Sequence, residues 1–95
     1  MNTDIPKSFF HSVEKIRDNI ARDKINQAIR AVKKAKSPGD IPHLLKVGGD
    51  KDRISYRIKA GKYRIGIEIE NDLVKFIKVG RRDNFYNTFP MILFI

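Results

Sequence analysis

Apolar residues keep two different rhythms in the two halves of this 95-residue chain. In the first half Phe9, Val13, Ile16 and Ile20 recur at intervals of four, three and four, which predicts one helix with a single buried face. Pro6 stands where such a helix can start, because a proline at the first helical position forfeits no intrahelical hydrogen bond. Asp23 suits the cap of a second helix, whose buried stripe is Ile25, Ala28, Ile29 and Val32. Ser37-Pro38-Gly39-Asp40 then stops it. Residues 5–36 therefore read as a helical hairpin with its apolar side laid on something flat. A faint strand signal over Met1 to Ile5 precedes it.

Next comes a connector, Ile41 to Leu45, with apolar anchors at Leu44 and Leu45, and then a polar, flexible turn from Gly48 to Asp52. After it the period becomes two. Ile54, Tyr56, Ile58 and Ala60 alternate with Ser55, Arg57 and Lys59; Tyr63, Ile65, Ile67 and Ile69 alternate with Arg64, Gly66, Glu68 and Glu70. With Gly61-Lys62 between them, the two runs predict a β-hairpin on a glycine-first two-residue turn. Asn71-Asp72 turns the chain into a third strand, Leu73 to Val79. The expected class is α+β: two N-terminal helices on a small, mainly antiparallel sheet of three to four strands. One domain would span 1–95, with the sheet over 53–79 and a C-terminal motif and apolar tail over 80–95.

That turn sets a register. Ala60 faces Tyr63, Ile58 faces Ile65 and Tyr56 faces Ile67, all on the side the helices can cover. On the other side Lys59 lies across from Arg64, and Arg57 across from Gly66. Directly opposed like charges cost a sheet roughly 0.2–1 kcal/mol, which selection for stability alone would avoid. Three cations around a glycine that admits a ligand to the backbone suit a phosphodiester. The plainer alternative is long cationic side chains splayed into water and balanced by Glu68 and Glu70.

Composition points the same way. Twenty Lys and Arg against eleven Asp and Glu leave +9, with a pI near 10.0, which predicts an anionic partner. Residues 7–36 hold nine cationic and three anionic side chains, but Lys33, Lys34 and Lys36 sit where a helix C-terminus favours them anyway. The chain has no cysteine, which excludes disulfides, a thiolate nucleophile and cysteine-ligated zinc. Its two histidines, His11 and His43, have no carboxylate cluster and make no metal site. No apolar run approaches the roughly 18 residues of a membrane span, and the N-terminus lacks a leader pattern, so a cytoplasmic protein is expected. Phe9, Phe10, Tyr56, Tyr63 and Phe76 fall at core-like periods, and Phe85 is expected to anchor the segment after the third strand. The wholly apolar Met91 to Ile95 suits packing on the core, an added edge strand, or a surface covered by a partner or second copy.

The run Tyr56-Arg57-Ile58-Lys59-Ala60-Gly61-Lys62-Tyr63-Arg64-Ile65, followed by Val79-Gly80-Arg81-Arg82-Asp83-Asn84-Phe85-Tyr86 and Asn87-Thr88-Phe89-Pro90, resembles the RelE/ParE superfamily of toxin–antitoxin toxins, in its RelE-like branch. The likeness extends over about residues 5–90. It implies a ribosome-dependent endoribonuclease that cuts mRNA in the ribosomal A site, with no metal or other cofactor, and a cognate antitoxin as protein partner. It also carries catalytic roles onto Arg57, Lys59, Arg64, Arg82 and Tyr86. Their chemistry suits that reaction. A 2′-hydroxyl attacks the neighbouring phosphate, and guanidinium forks at Arg64 and Arg82 match the charge that builds there. Crowding by cations favours the neutral amine of a lysine, which suits Lys59 to general base. Arg57 holds its proton too tightly for that and is assigned to the phosphate. Arg82 is also a candidate proton donor to the leaving oxygen, and Tyr86 stacks on a base or orients the 2′-hydroxyl. Lys62 and Arg81 complete the expected RNA contacts, with Arg57, Lys59 and Arg64. Many relatives carry histidine where Arg81 stands, so a histidine-based mechanism does not transfer. Two other functions remain open: a ParE-like inhibitor of DNA gyrase, and a non-catalytic nucleic-acid-binding module.

Overall fold

The first apolar stripe is cut in two by Asp18. In the computed structural model, which describes residues 1–89, α1 covers only Lys7–Glu14 and α2 runs from Asn19 to Lys34. The Asp18 carboxylate accepts from the backbone N–H of Ile20 (3.0 Å) and Ala21 (3.2 Å), so Asp18 is the cap in place of the expected Asp23. Restarting the helix there throws Ile20 out of phase: it lies on α2 and is 69% exposed, whereas Ile16 stays in the core just beyond α1. Phe10 also points outward, on the side of α1 away from Phe9 and Val13.

Five strands form one sheet, one or two more than the period-two pattern indicates. They are β1 (Asn2–Asp4), β2 (Leu44–Gly49), β3 (Ile54–Ala60), β4 (Tyr63–Glu70) and β5 (Leu73–Arg81), in the order β1-β5-β4-β3-β2. The faint N-terminal signal is β1, parallel to β5 through Asn2 opposite Leu73. Only the last two residues of the expected connector, Leu44 and Leu45, enter β2, which runs on into the expected turn as far as Gly49; it is antiparallel to β3, with a bulge between Lys46 and Gly48, and Leu45 is exposed there and anchors nothing. A short 3₁₀ turn, Pro38–Asp40, follows α2, and a third helix, α3, occupies Arg82–Phe85. The tail Met91 to Ile95 lies outside the described residues. Among the described residues no helix is long and apolar enough to cross a membrane.

The hairpin register is the one the turn implies, with Ala60 opposite Tyr63, Ile58 opposite Ile65 and Tyr56 opposite Ile67. Gly61 adopts φ +64°, a conformation glycine tolerates without penalty. Ile58, Ile65, Ile67, Val74 and Phe76 are buried against Phe9, Val13, Ile25, Ile29 and Val32 of the two helices. The Phe9 and Phe76 rings meet edge to face at 5.3 Å. A one-residue slip would turn Ile58, Ile65 and Ile67 away from the helices. At about 1.5–3 kcal/mol for each buried aliphatic side chain, that loss far outweighs the like-charge penalty on the other face.

The cap assignment can be checked directly. Asp18→Ala should lower unfolding free energy in urea by about 1 kcal/mol, while Asp23→Ala should change it by less than about 0.5 kcal/mol. A second check concerns Asp50, whose carboxylate accepts from the N–H groups of Asp52 (3.0 Å) and Arg53 (3.1 Å) in the β2–β3 turn. These bonds hold its pKa below the ordinary aspartate range. They favour the charged form, so their support is present above that range and is lost as pH falls through the lowered value. The Asp52 and Arg53 amide resonances should titrate below the usual aspartate midpoint, and Asp50→Ala should abolish the transition.

Candidate functional site

The second face of the sheet is built by β3, β4 and the end of β5. Alternation puts Arg57 and Lys59 of β3, and Arg64 and Gly66 of β4, on the side away from α1 and α2. Gly80 lies beside Arg64, and Lys78 beside Gly66. Lys59 is exposed, and Lys62 is exposed in the turn at one end. The end of β5 is tied to that turn, because the Arg82 N–H donates to the Lys62 carbonyl at 2.9 Å. The backbones of Lys59, Lys62, Arg64 and Arg82 thereby meet at one corner.

Arg64 is not the open clamp that a bare alternating pattern suggests. It is only 5% exposed, and its Nη1 donates to the carbonyls of Gly61 (2.8 Å) and Tyr63 (2.9 Å). The guanidinium bends back over its own turn, which relieves the opposition to Lys59 and leaves its other N–H groups without an acceptor among the described residues. Arg57 is half-buried and its Nη1 donates to the His43 carbonyl at 2.7 Å. That carbonyl also accepts from the Lys59 N–H at 3.4 Å, and His43 sits at φ +61°, an uncommon backbone state for a non-glycine residue. Arg81 is exposed and pairs with Tyr63, which puts it on the helix-covered side at the rim, apart from the other cations.

Gly66 does not admit a ligand to the backbone. A Cβ built there would meet three ring carbons of Phe89 at 2.9 Å, so the Phe89 ring fills the slot the missing side chain leaves. Phe85, fully buried, packs 5.2 Å from Phe89, and Lys78 lies over the Phe85 ring at 5.9 Å while bonding Thr88 Oγ1. Residues 85–89 therefore cross the second face. The apolar rings reach burial only by seating on a strand with no side chain in the way. Tyr86, edge-on to Phe85 at 5.1 Å, is left 46% exposed on this strap. Phe85 anchors as expected; Lys78 and the Gly66–Phe89 seat are additions, although the four-residue spacing of Phe85 and Phe89 hinted at a shared face. Among the described residues no group of His, Cys, Asp or Glu could hold a metal ion.

What this arrangement offers chemically is a cationic corner with spare N–H donors, and an exposed tyrosine on the strap that follows it. It is an anion-binding surface in which charge-assisted hydrogen bonds come from several elements at once.

No family model matches the chain. A stretch of 35 residues is 49% identical to the toxin RelE3 of Methanocaldococcus jannaschii; it covers 37% of this chain and 40% of that relative. Over 90% of this chain and 98% of the other, the structure superposes on a chain of the RelB–RelE antitoxin–toxin complex from Methanococcus jannaschii with TM-score 0.69 and 28% identity. The archaeal RelE–RelB complex from Pyrococcus horikoshii gives TM-score 0.69 at 17% identity, over 85% and 93% of the two chains. The isolated E. coli RelE toxin gives 0.54 at 14% identity, over 97% of each. The last two show a shared fold.

The Gly66–Phe89 seat makes a mechanical prediction. Gly66→Ala should displace the ring and cost about 1–3 kcal/mol in urea unfolding, while Phe89→Ala should cost about 3–5 kcal/mol. In both variants hydrogen exchange should rise in residues 82–89 more than in β3.

Proposed function

We propose that this chain, a RelE-like protein in sequence and fold, is the toxin of a toxin–antitoxin pair and cuts mRNA in the ribosomal A site. The observation that carries the reading is the gathering of Lys59, Lys62, Arg64 and Arg82 at the hairpin corner, fastened by the bond from Arg82 to Lys62. The structural neighbour at 28% identity is an antitoxin–toxin complex, which supports a cognate antitoxin as partner.

In this reading the ribose 2′-oxygen attacks the adjacent phosphorus while the bond to the 5′-oxygen breaks. The products are a 2′,3′-cyclic phosphate and a free 5′-hydroxyl. Lys59, exposed at the corner, takes the proton of the 2′-hydroxyl. Arg82 and the remaining N–H groups of Arg64 stabilise the charge on the phosphate oxygens, where fixed donors cost no reorganisation. Arg82 also supplies the proton to the leaving oxygen. Arg57, held by the His43 carbonyl, adds positive potential from the neighbouring row. Tyr86 offers its exposed ring to a base, or its hydroxyl to the sugar. Lys62 contacts the RNA backbone from the turn, and Arg81 does so from the rim.

Primer extension on translated mRNA tests this. The wild-type chain should create new ribosome-dependent ends. Lys59→Ala should reduce them by about 10²–10⁴-fold, and Arg82→Ala by about 10²–10³-fold. Inhibition of DNA supercoiling without new mRNA ends would instead identify a gyrase inhibitor. Salt-sensitive RNA binding with neither activity would identify a binding module.

A further inference from the structure

An open groove of about 510 Å³ runs between α2 and the end of β3, around the edge of the sheet from the cationic corner. It exists because β2 begins only at Leu44, opposite Ile58, so β3 has no partner strand on that side beyond Ile58. Ala28, Ala31, Ile41 and Ile58 give it an apolar floor, and Lys24, Gln27, His43 and Lys59 supply polar groups. None of the described residues lining it is acidic. Lys24 reaches across from α2 to the turn: a Cβ built at Gly61 would meet its Cδ at 3.3 Å and its Nζ at 3.7 Å. Lys59 belongs to both places, since its register assigns it to the second face and its residue also lines the groove.

We propose that this groove binds one nucleotide of the RNA, next to the phosphate held at the corner, with Lys24 on the backbone phosphate and Gln27 and His43 at the edge of the base. The assignment rests on the reading of the corner as an RNA site and extends it to a neighbouring subsite. Three features select a nucleotide. The volume is that of a small-ligand pocket, and an acidic helix would need a far longer trough. The apolar floor suits the face of a base, while an amide and an imidazole offer donors and acceptors for its edge. The shared residue Lys59 makes the groove continuous with the corner, so one strand can occupy both.

The test uses the full chain and a short RNA carrying 4-thiouridine, with 2′-O-methyl groups that prevent cutting. Ultraviolet crosslinks located by mass spectrometry should fall within residues 24–31 and 41–43 as well as at the corner. Ala31→Leu, which fills the groove and removes no charge, should abolish the groove crosslinks and keep those at the corner. Lys24→Ala should weaken binding about ten-fold, the worth of one charge-assisted hydrogen bond. It should also lower the slope of log affinity against log salt by about 0.7. Lys34→Ala, at the far end of α2, should leave the groove crosslinks unchanged. Crosslinks confined to residues 57–64 and 81–89, or groove crosslinks unchanged in Ala31→Leu, would overturn the proposal. So would a groove that takes an acidic helical peptide and leaves RNA crosslinks elsewhere. Cutting is measured separately. Groove crosslinks from a wild-type chain that cuts no translated mRNA would remove the nuclease reading and keep the subsite; cutting with an unlabelled groove would do the reverse.

Discussion

The side-to-side alternation of the β3–β4 hairpin, pinned by the left-handed backbone of Gly61, is the constraint on which the remaining features depend. With two residues in the turn, Ile58 and Ile65 must share one face and Lys59 and Arg64 the other. Burial of the isoleucines beneath α1 and α2 is worth several kcal/mol, and the opposed cations cost at most about one. The apolar side therefore decides the register, and the charged side follows from it. The chain then limits that cost by folding the Arg64 guanidinium onto the Gly61 and Tyr63 carbonyls. A buried, prepositioned cation is the result, one whose direction is set before any ligand arrives.

The face away from the helices is only partly open. Gly66 removes one side chain from the middle of β4, and the Phe89 ring fills the opening, with Phe85 behind it and Lys78 alongside. The consequence is to hold the segment that carries Tyr86 against the sheet, while the Arg82–Lys62 bond fixes the start of the same segment at the hairpin turn. Two fastenings, one polar and one apolar, thus set where the exposed phenol stands relative to the cations. A domain this small has few ways to stiffen a segment that follows its last strand, and seating an aromatic ring on a strand glycine uses a face the helices leave vacant.

The late start of β2 links the two sides of the molecule. Where β3 loses its outer neighbour, the edge gives way to a groove walled by α2, and the His43 carbonyl gathers Arg57 and the Lys59 backbone at its mouth. His43 holds that carbonyl in place from a backbone at φ +61°. Lys24 of α2, Lys59 of β3 and the 61–62 turn therefore lie around one edge, which suits a polyanion running around it better than one resting on a flat surface.

Local pattern in the sequence determined that two helices precede the sheet, the hairpin with its register and with Lys59 across from Arg64, and the third long strand. Each of these follows from a short-range period or a turn residue. The start of α2 escaped because Asp18 and Asp23 are equally good caps in isolation, and only the packing of Ala21 and Ile25 in the core selects between them. The parallel β1–β5 pair joins residues about seventy positions apart, which no local period encodes. The bend of Arg64, the placing of Arg81 on the opposite rim, and the Phe89 ring on Gly66 were likewise decided by tertiary structure. In each case the position of a side chain is set by which distant backbone groups and apolar surfaces the completed fold leaves unfilled, and that information exists only once the sheet has closed against the helices.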